Sequence, residues 1–144
     1  MAVVRPFRAL RPNGRLAERI AALPYDVMNS VEAKDMVEGN ELSFLRIDRA
    51  EINFPEILDP HDPRVYAKAR EILDRMIAQQ ELIQDPQPYF YIYRQIMDGR
   101  AQTGLVACTA IDDYNNDVIK KHEYTRPDKE QDRIDHIKAL QAQT

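Results

Sequence analysis

The strongest pattern along the chain is an apolar stripe at helical spacing. Val65, Tyr66, Ala69, Ile72, Leu73, Met76, Ile77 and Gln80 fall on one face, and all but the last are apolar. This predicts a helix over 63–82, with Asp62 as its cap and Pro63 in its first turn. Glu71 and Arg75 are spaced as an outward i,i+4 ion pair on it. Shorter helical spacing marks 15–22, stopped by Pro24, and 31–38, with Ser30 as N-cap and Gly39-Asn40 as stop. Thr125 and Asp128 are spaced as a capping box, and Ile134, Ile137 and Leu140 share a face. A last helix is therefore expected over 127–142, running toward Thr144 without a terminal cap.

Strict alternation marks the strands. Residues 2–10 read as a first strand, with Pro6 at an edge or end because it cannot donate to a ladder. Residues 43–49, SFLRIDR, alternate and predict a short strand. Residues 88–97 and 103–111 predict a hairpin about Asp98-Gly99, and 118–121 a further short strand. The segment 51–63, with four acids and three prolines, reads as a surface loop, and Pro24-Tyr25-Asp26-Val27 as a turn. The expected fold is α/β or α+β: a mixed sheet with an antiparallel hairpin, packed by about four helices.

Composition narrows this only modestly. A length of 144 residues predicts one globular domain over 1–144, and 44% apolar residues can supply its core. The formal net charge of −4 argues against nucleic acid as a partner. No apolar run approaches the roughly 18–20 residues of a membrane span, so no membrane partner is expected. The one cysteine, Cys108, excludes an internal disulfide framework and fits a cytoplasmic location; its alternation with Val106 and Ala110 makes it a core residue.

Several chemical signals are absent. There is no P-loop, no dinucleotide fingerprint and no nucleophile elbow. His122-Glu123 opens like a zinc-protease motif, but Arg126 stands where the second histidine would be. His61, His122 and His136 are too scattered to predict a metal site.

Polar side chains are densest over 120–133, KKHEYTRPDKEQDR, at an expected strand-to-helix junction. Such a junction offers free backbone N–H groups to an anion. Arg126 and Lys129 add charge, and Glu123 has the chemistry of a base or a magnesium ligand. An ordinary solvated helix start has the same composition, so both readings stand. Arg5, Arg8, Arg11, Arg15 and Arg19 form a second cluster, with Arg5 and Arg11 suited to phosphate and a solvated face as the plainer alternative. Tyr25 and Asp26 suit a pocket rim, or Asp26 simply closes its turn. Tyr89, Tyr91 and Tyr93 share a strand face, which reads as a buried hairpin rather than a base-stacking platform.

Four segments occur together in order: Arg-Pro-Phe-Arg-Ala-Leu at 5–10, Pro-Tyr-Asp-Val at 24–27, Ser-Phe-Leu-Arg at 43–46 and His-Glu-x-Thr-x-x-x-Lys-x-x-Asp-Arg at 122–133. Their combination resembles an uncharacterised prokaryotic family, domain-of-unknown-function family ten-fifteen, some of whose members carry a ParB-like label. Members are usually longer, so the resemblance implies that this chain is an N-terminal domain or fragment. It also implies nucleotide handling, with Mg²⁺ as its companion ion, in a protein like ParB or free-serine kinases, and a small-molecule phosphotransferase as the activity. The matching positions are Arg5, Arg8, Tyr25, Asp26, Ser43, Arg46, His122, Glu123, Thr125, Lys129, Asp132 and Arg133. His122 and Glu123 become the catalytic candidates, with Thr125 beside them, and Arg126, Lys129 and Arg133 near a phosphate. The alternatives are a non-catalytic module regulated by nucleotide, and a structural half that packs on the remainder of a longer chain or on a second copy.

Overall fold

The computed structural model of the chain describes residues 1–121 and 126–144. In order, its elements are β1 (Val4–Arg5), β2 (Leu10–Pro12), α1 (Ala17–Ile20), α2 (Ser30–Met36), α3 (Leu45–Asp48), α4 (Pro63–Ala78), β3 (Leu82–Gln84), β4 (Tyr91–Met97), β5 (Arg100–Val106), β6 (Cys108–Thr109), α5 (Ile111–Asn115) and α6 (Pro127–Leu140). Short 3₁₀ turns add Tyr25–Val27 and Ala50–Asn53. The class is α+β, with six helices and small two-stranded sheets among the described residues. The chain divides into two compact units, one of Met1–Arg11 and Gln84–Tyr124, the other of Pro12–Ile83 and Thr125–Thr144.

The second unit is helical and is organised by α4. Asp62 caps that helix by accepting from the Arg64 N–H, and Pro63 occupies its first turn. Val65, Ala69, Ile72, Leu73 and Met76 are buried, as the stripe requires, and α4 packs against α3, α6 and the turn at Ala50–Asn53. Gln80 leaves the stripe because the helix ends at Ala78 and Gln80 takes a positive φ. Its outer ion pairs are Lys68–Glu71 and Arg70–Asp74 rather than Glu71–Arg75. Met28, Ala33, Val37, Leu45 and Ile52 form an adjoining apolar cluster.

Four expectations for this unit change. Residues 45–48 are one turn of helix, not strand. The turn drives Leu45 into the apolar cluster and Ile47 into the core, so alternating burial arises without a partner strand. The segment after it is not wholly surface loop, because Ala50, Glu51 and Ile52 are buried in the 3₁₀ turn. The cap of α2 is Asn29, not Ser30: its carboxamide accepts from the Val31 and Glu32 N–H groups, and Glu32 accepts from the Asn29 N–H. Helix α6 ends at Leu140, with Gln141 in the left-handed region, so it carries a terminal cap after all. The expected capping box at its start involves Thr125, which lies outside the described residues.

The first unit is built on strands. Pro6 divides the expected first strand, as its missing N–H demands: β1 pairs antiparallel with β6, and Phe7 bridges Tyr89. The antiparallel hairpin runs from Tyr91 opposite Val106 to Met97 opposite Arg100. Asp98 and Gly99 both have positive φ, the conformation that a two-residue turn of this hand requires. The hairpin is exposed on both faces, contrary to the buried one expected, and Cys108 is exposed rather than a core residue. Among the described residues no element covers this two-stranded ribbon, which leaves both sets of side chains out. The return strand β5 stops at Val106, Cys108–Thr109 pairs with β1 instead, α5 begins at Ile111, and 118–121 contains no strand.

Candidate functional site

In the helical unit, α6 presents Lys129, Asp132, Arg133 and His136 along one face, at i, i+3, i+4 and i+7. They line a cavity of about 100 Å³ together with Tyr25, Asp48, Arg49, Glu51, His61 and Tyr66. Sites for drug-sized ligands occupy roughly 300–1,000 Å³. This cavity suits one small polar group.

Two side-chain networks form its walls. In the first, Asp132 accepts 2.9 Å from the Tyr66 hydroxyl and 2.8 Å from Arg133 Nη2. His61 Nδ1 lies 3.3 Å from the same carboxylate. The Arg133 guanidinium also lies 4.2 Å from the centre of the Tyr25 ring, a cation–π stack that fixes it in place. Burial works to raise the Asp132 carboxyl, but the bonds from Arg133 and Tyr66 outweigh it and hold the group below its ordinary value. Burial and the bond to Asp132 push the Tyr66 hydroxyl well up, so it remains a donor.

In the second network, Arg49 donates 3.1 Å to the Tyr25 carbonyl and 2.8 Å to Ser30 Oγ, and Ser30 in turn donates 2.8 Å to Glu51. Arg49 Nε is 3.1 Å from Glu51 but makes no directed bond, so that contact is Coulombic. This pairing is what carries the charge of Glu51 inside, and it anchors Tyr25 under Arg133.

His136 is 3% exposed, and its Nε2 lies 3.3 Å from the Ile47 carbonyl. A carbonyl only accepts, so Nε2 carries the hydrogen. Nδ1 is buried without a partner, and burial lowers the ring below its usual value. Burial likewise raises Asp48, whose Oδ1 is also without a partner.

The cavity thus gathers four of the residues singled out from the sequence: Tyr25, Lys129, Asp132 and Arg133. The others lie elsewhere. Asp26 is exposed beside Tyr25 and does not line the cavity. Ser43 is buried and borders a second, mostly apolar cavity with Leu23 and Met36. Arg46 is a brace, donating to the Asn40 and Val37 carbonyls and to Asn53 and Glu41. Arg5 and Arg8 belong to the strand unit, where Arg8 donates to the Asp85 carbonyl and Arg11 is held by the Asp85 carboxylate. Arg126 is the exposed N-cap residue of α6. His122, Glu123 and Thr125 lie outside the described residues.

Sequence reasoning missed His61, Tyr66 and His136. Tyr66 falls within the apolar stripe of α4, and His61 and His136 stand 75 positions apart along the chain. The polar i, i+3, i+4, i+7 series on α6 was the available signal, because it marks a second, hydrophilic face turned inward.

Fold and site together define an α+β protein with a charged cleft between helices. The chain belongs to the family described as protein of unknown function, DUF1015, which matches residues 4–144. Neither the comparison with curated proteins nor that with solved structures finds a match.

Proposed function

We propose that the cleft of the helical unit seats the phosphate of a nucleotide, and that the chain is the N-terminal part of a small-molecule phosphotransferase of ParB-like or free-serine-kinase-like character. One observation carries the reading. Lys129 and Arg133 stand one turn apart on α6 and line the same cavity, Arg133 stacked on the Tyr25 ring. Lys129 is exposed and forms no ion pair among the described residues, so its charge is available to a ligand. The small volume fits a phosphate head, with the rest of the ligand along the open rim. Among the described residues no group of three His, Cys, Asp or Glu side chains is placed to hold a metal, so Mg²⁺ would enter on the phosphates.

The test is thermal shift and calorimetry with ATP, ADP, CTP and GTP, with and without Mg²⁺. A ligand that binds only the folded state raises Tm in step with its concentration over Kd. Lys129→Ala and Arg133→Ala are each expected to weaken binding about tenfold or more, the usual cost of a lost charged hydrogen bond. Absence of any shift with all four nucleotides would end this reading.

A second reading rests on the exposed apolar hairpin. There the strand unit packs on a second copy of the chain or on a further part of a longer protein, and the cleft plays no catalytic role. Sedimentation across a concentration series separates a self-associating chain from a monomer.

A further inference from the structure

We propose that His61 is the general base of this cleft, positioned by Asp132, and that it acts on the hydroxyl of a small phosphoryl acceptor; this rests on the phosphotransferase reading above. The two oxygens nearest Nδ1 point to its tautomer. His61 Nδ1 lies 3.3 Å from Asp132 Oδ1 and 3.4 Å from the Tyr66 hydroxyl oxygen. Tyr66 has already committed its hydrogen to Asp132, at 2.9 Å, so it meets His61 with a lone pair. Both neighbours of Nδ1 are therefore acceptors. In the neutral ring Nδ1 carries the proton, and Nε2 is left with the basic lone pair.

The orienting group is itself held firmly. The Asp132 side chain is 12% exposed and takes two further bonds on Oδ2, from Arg133 Nη2 at 2.8 Å and Nε at 3.2 Å. The His61 side chain is 65% exposed, so a substrate can reach the ring. A base held by a third group is the arrangement that activates a hydroxyl. The 3.3 Å His61–Asp132 contact is an ion-pair distance without a directed hydrogen bond, and the 3.4 Å Tyr66 contact is long; catalytic hydrogen bonds commonly tighten only when substrate binds.

In the reaction, the acceptor hydroxyl gives its proton to His61 Nε2. Its oxygen forms a bond to the γ-phosphorus of a nucleoside triphosphate. The bond from that phosphorus to the β–γ bridging oxygen breaks, its electron pair stays on the leaving nucleoside diphosphate, and His61 returns the proton to water. Lys129 lies on the same cavity wall, where it meets the transferring phosphate.

The dyad is tested first without any nucleotide. Long-range ¹H–¹⁵N correlation, at a pH where the ring is neutral, should show His61 protonated on Nδ1. Tyr66→Phe should leave that tautomer in place, and Asp132→Asn should shift it toward Nε2–H. A wild-type ring protonated on Nε2, or a tautomer indifferent to Asp132→Asn, overturns the assignment. Transfer is then measured with MgATP and serine, glycerol and inositol as acceptors. His61→Gln should retain MgATP affinity by calorimetry and lose at least a hundredfold in transfer. Undiminished transfer in His61→Gln overturns the proposal, as does bound MgATP with no transfer to any acceptor. Failure of MgATP to bind the wild-type chain sinks the phosphotransferase reading and the base's role in it, while the tautomer result tells whether the dyad itself exists.

Discussion

Asp48 and His136 put two titratable groups where water does not compensate them, and the direction of each shift fixes its effect on stability. Burial raises Asp48 above its ordinary value of 3.8. Below 3.8 both folded and unfolded chains hold the proton and the site costs nothing; above the folded value a buried charge must be carried. Asp48→Asn is therefore expected to raise Tm by about 2–4 °C at pH 7, with the gain fading as pH falls toward 3.8. Burial lowers His136 below 6.5, so its neutral form supports the fold above 6.5 and that support is lost as pH falls toward the folded value. His136→Gln should flatten the Tm–pH curve in that window. Asp85 has the opposite character to Asp48. The hydrogen bonds from Arg11 and Tyr91 hold its carboxyl down at about 2. Its contribution is full above 3.8 and disappears as pH drops toward 2, so Asp85→Asn should lower Tm at neutral pH and remove the acid-side slope between those values. An unchanged slope would show that the Arg11–Asp85–Tyr91 knot does not hold the strand unit together.

At the scale of elements, legibility followed length. Sixteen residues of α4 repeat one face often enough for period to identify the helix, and its Asp-Pro start gave its first turn. The four residues of α3 could not do so. One helical turn flanked by two apolar neighbours buries Leu45 and Ile47 just as a strand would, and only the tertiary partners tell the two apart. The α2 start shows a similar limit. Asn29 and Ser30 are adjacent good caps, and the choice falls to Asn29 because Glu32 then sits three residues on and can answer its N–H. Asn29→Ala should cost about 0.5–2 kcal/mol by urea denaturation, and Asn29→Ser much less. The cleft was half legible for the same reason. Lys129, Asp132 and Arg133 share one helix with a motif, whereas His61 and Tyr66 reach Asp132 through a fold that no local pattern encodes.

Across the whole molecule the apolar core is unevenly placed. Every buried hydrophobic residue among those described, from Ile20 to Leu140, belongs to the helical unit. Among its described residues the strand unit buries Asp85 but no apolar side chain, while Ile92, Ile96, Met97 and Leu105 are 61–77% exposed. Burial of apolar surface is the main favourable term in folding, and a hairpin without it is marginal in water. Among the described residues the ladder from Tyr91–Val106 to Met97–Arg100 therefore rests on backbone bonds and on Tyr91, which donates to Asp85, accepts from the Ala9 N–H and packs on the Phe7 ring at 5.0 Å. Ile92 opposes Leu105 and Ile96 opposes Ala101 on one face, an apolar band that the Arg94–Thr103 pair interrupts. Hydrogen exchange is expected to be fast along β4 and β5 and slow along α4, and the chain should bind a hydrophobic dye strongly. Ile92→Glu with Ile96→Glu should abolish most of that dye signal while leaving α4 protection intact, because neither side chain contributes to a core. Exchange in β4 as slow as in α4 would mean that the band is already covered in solution, and sedimentation of the same sample would then show whether a second copy covers it.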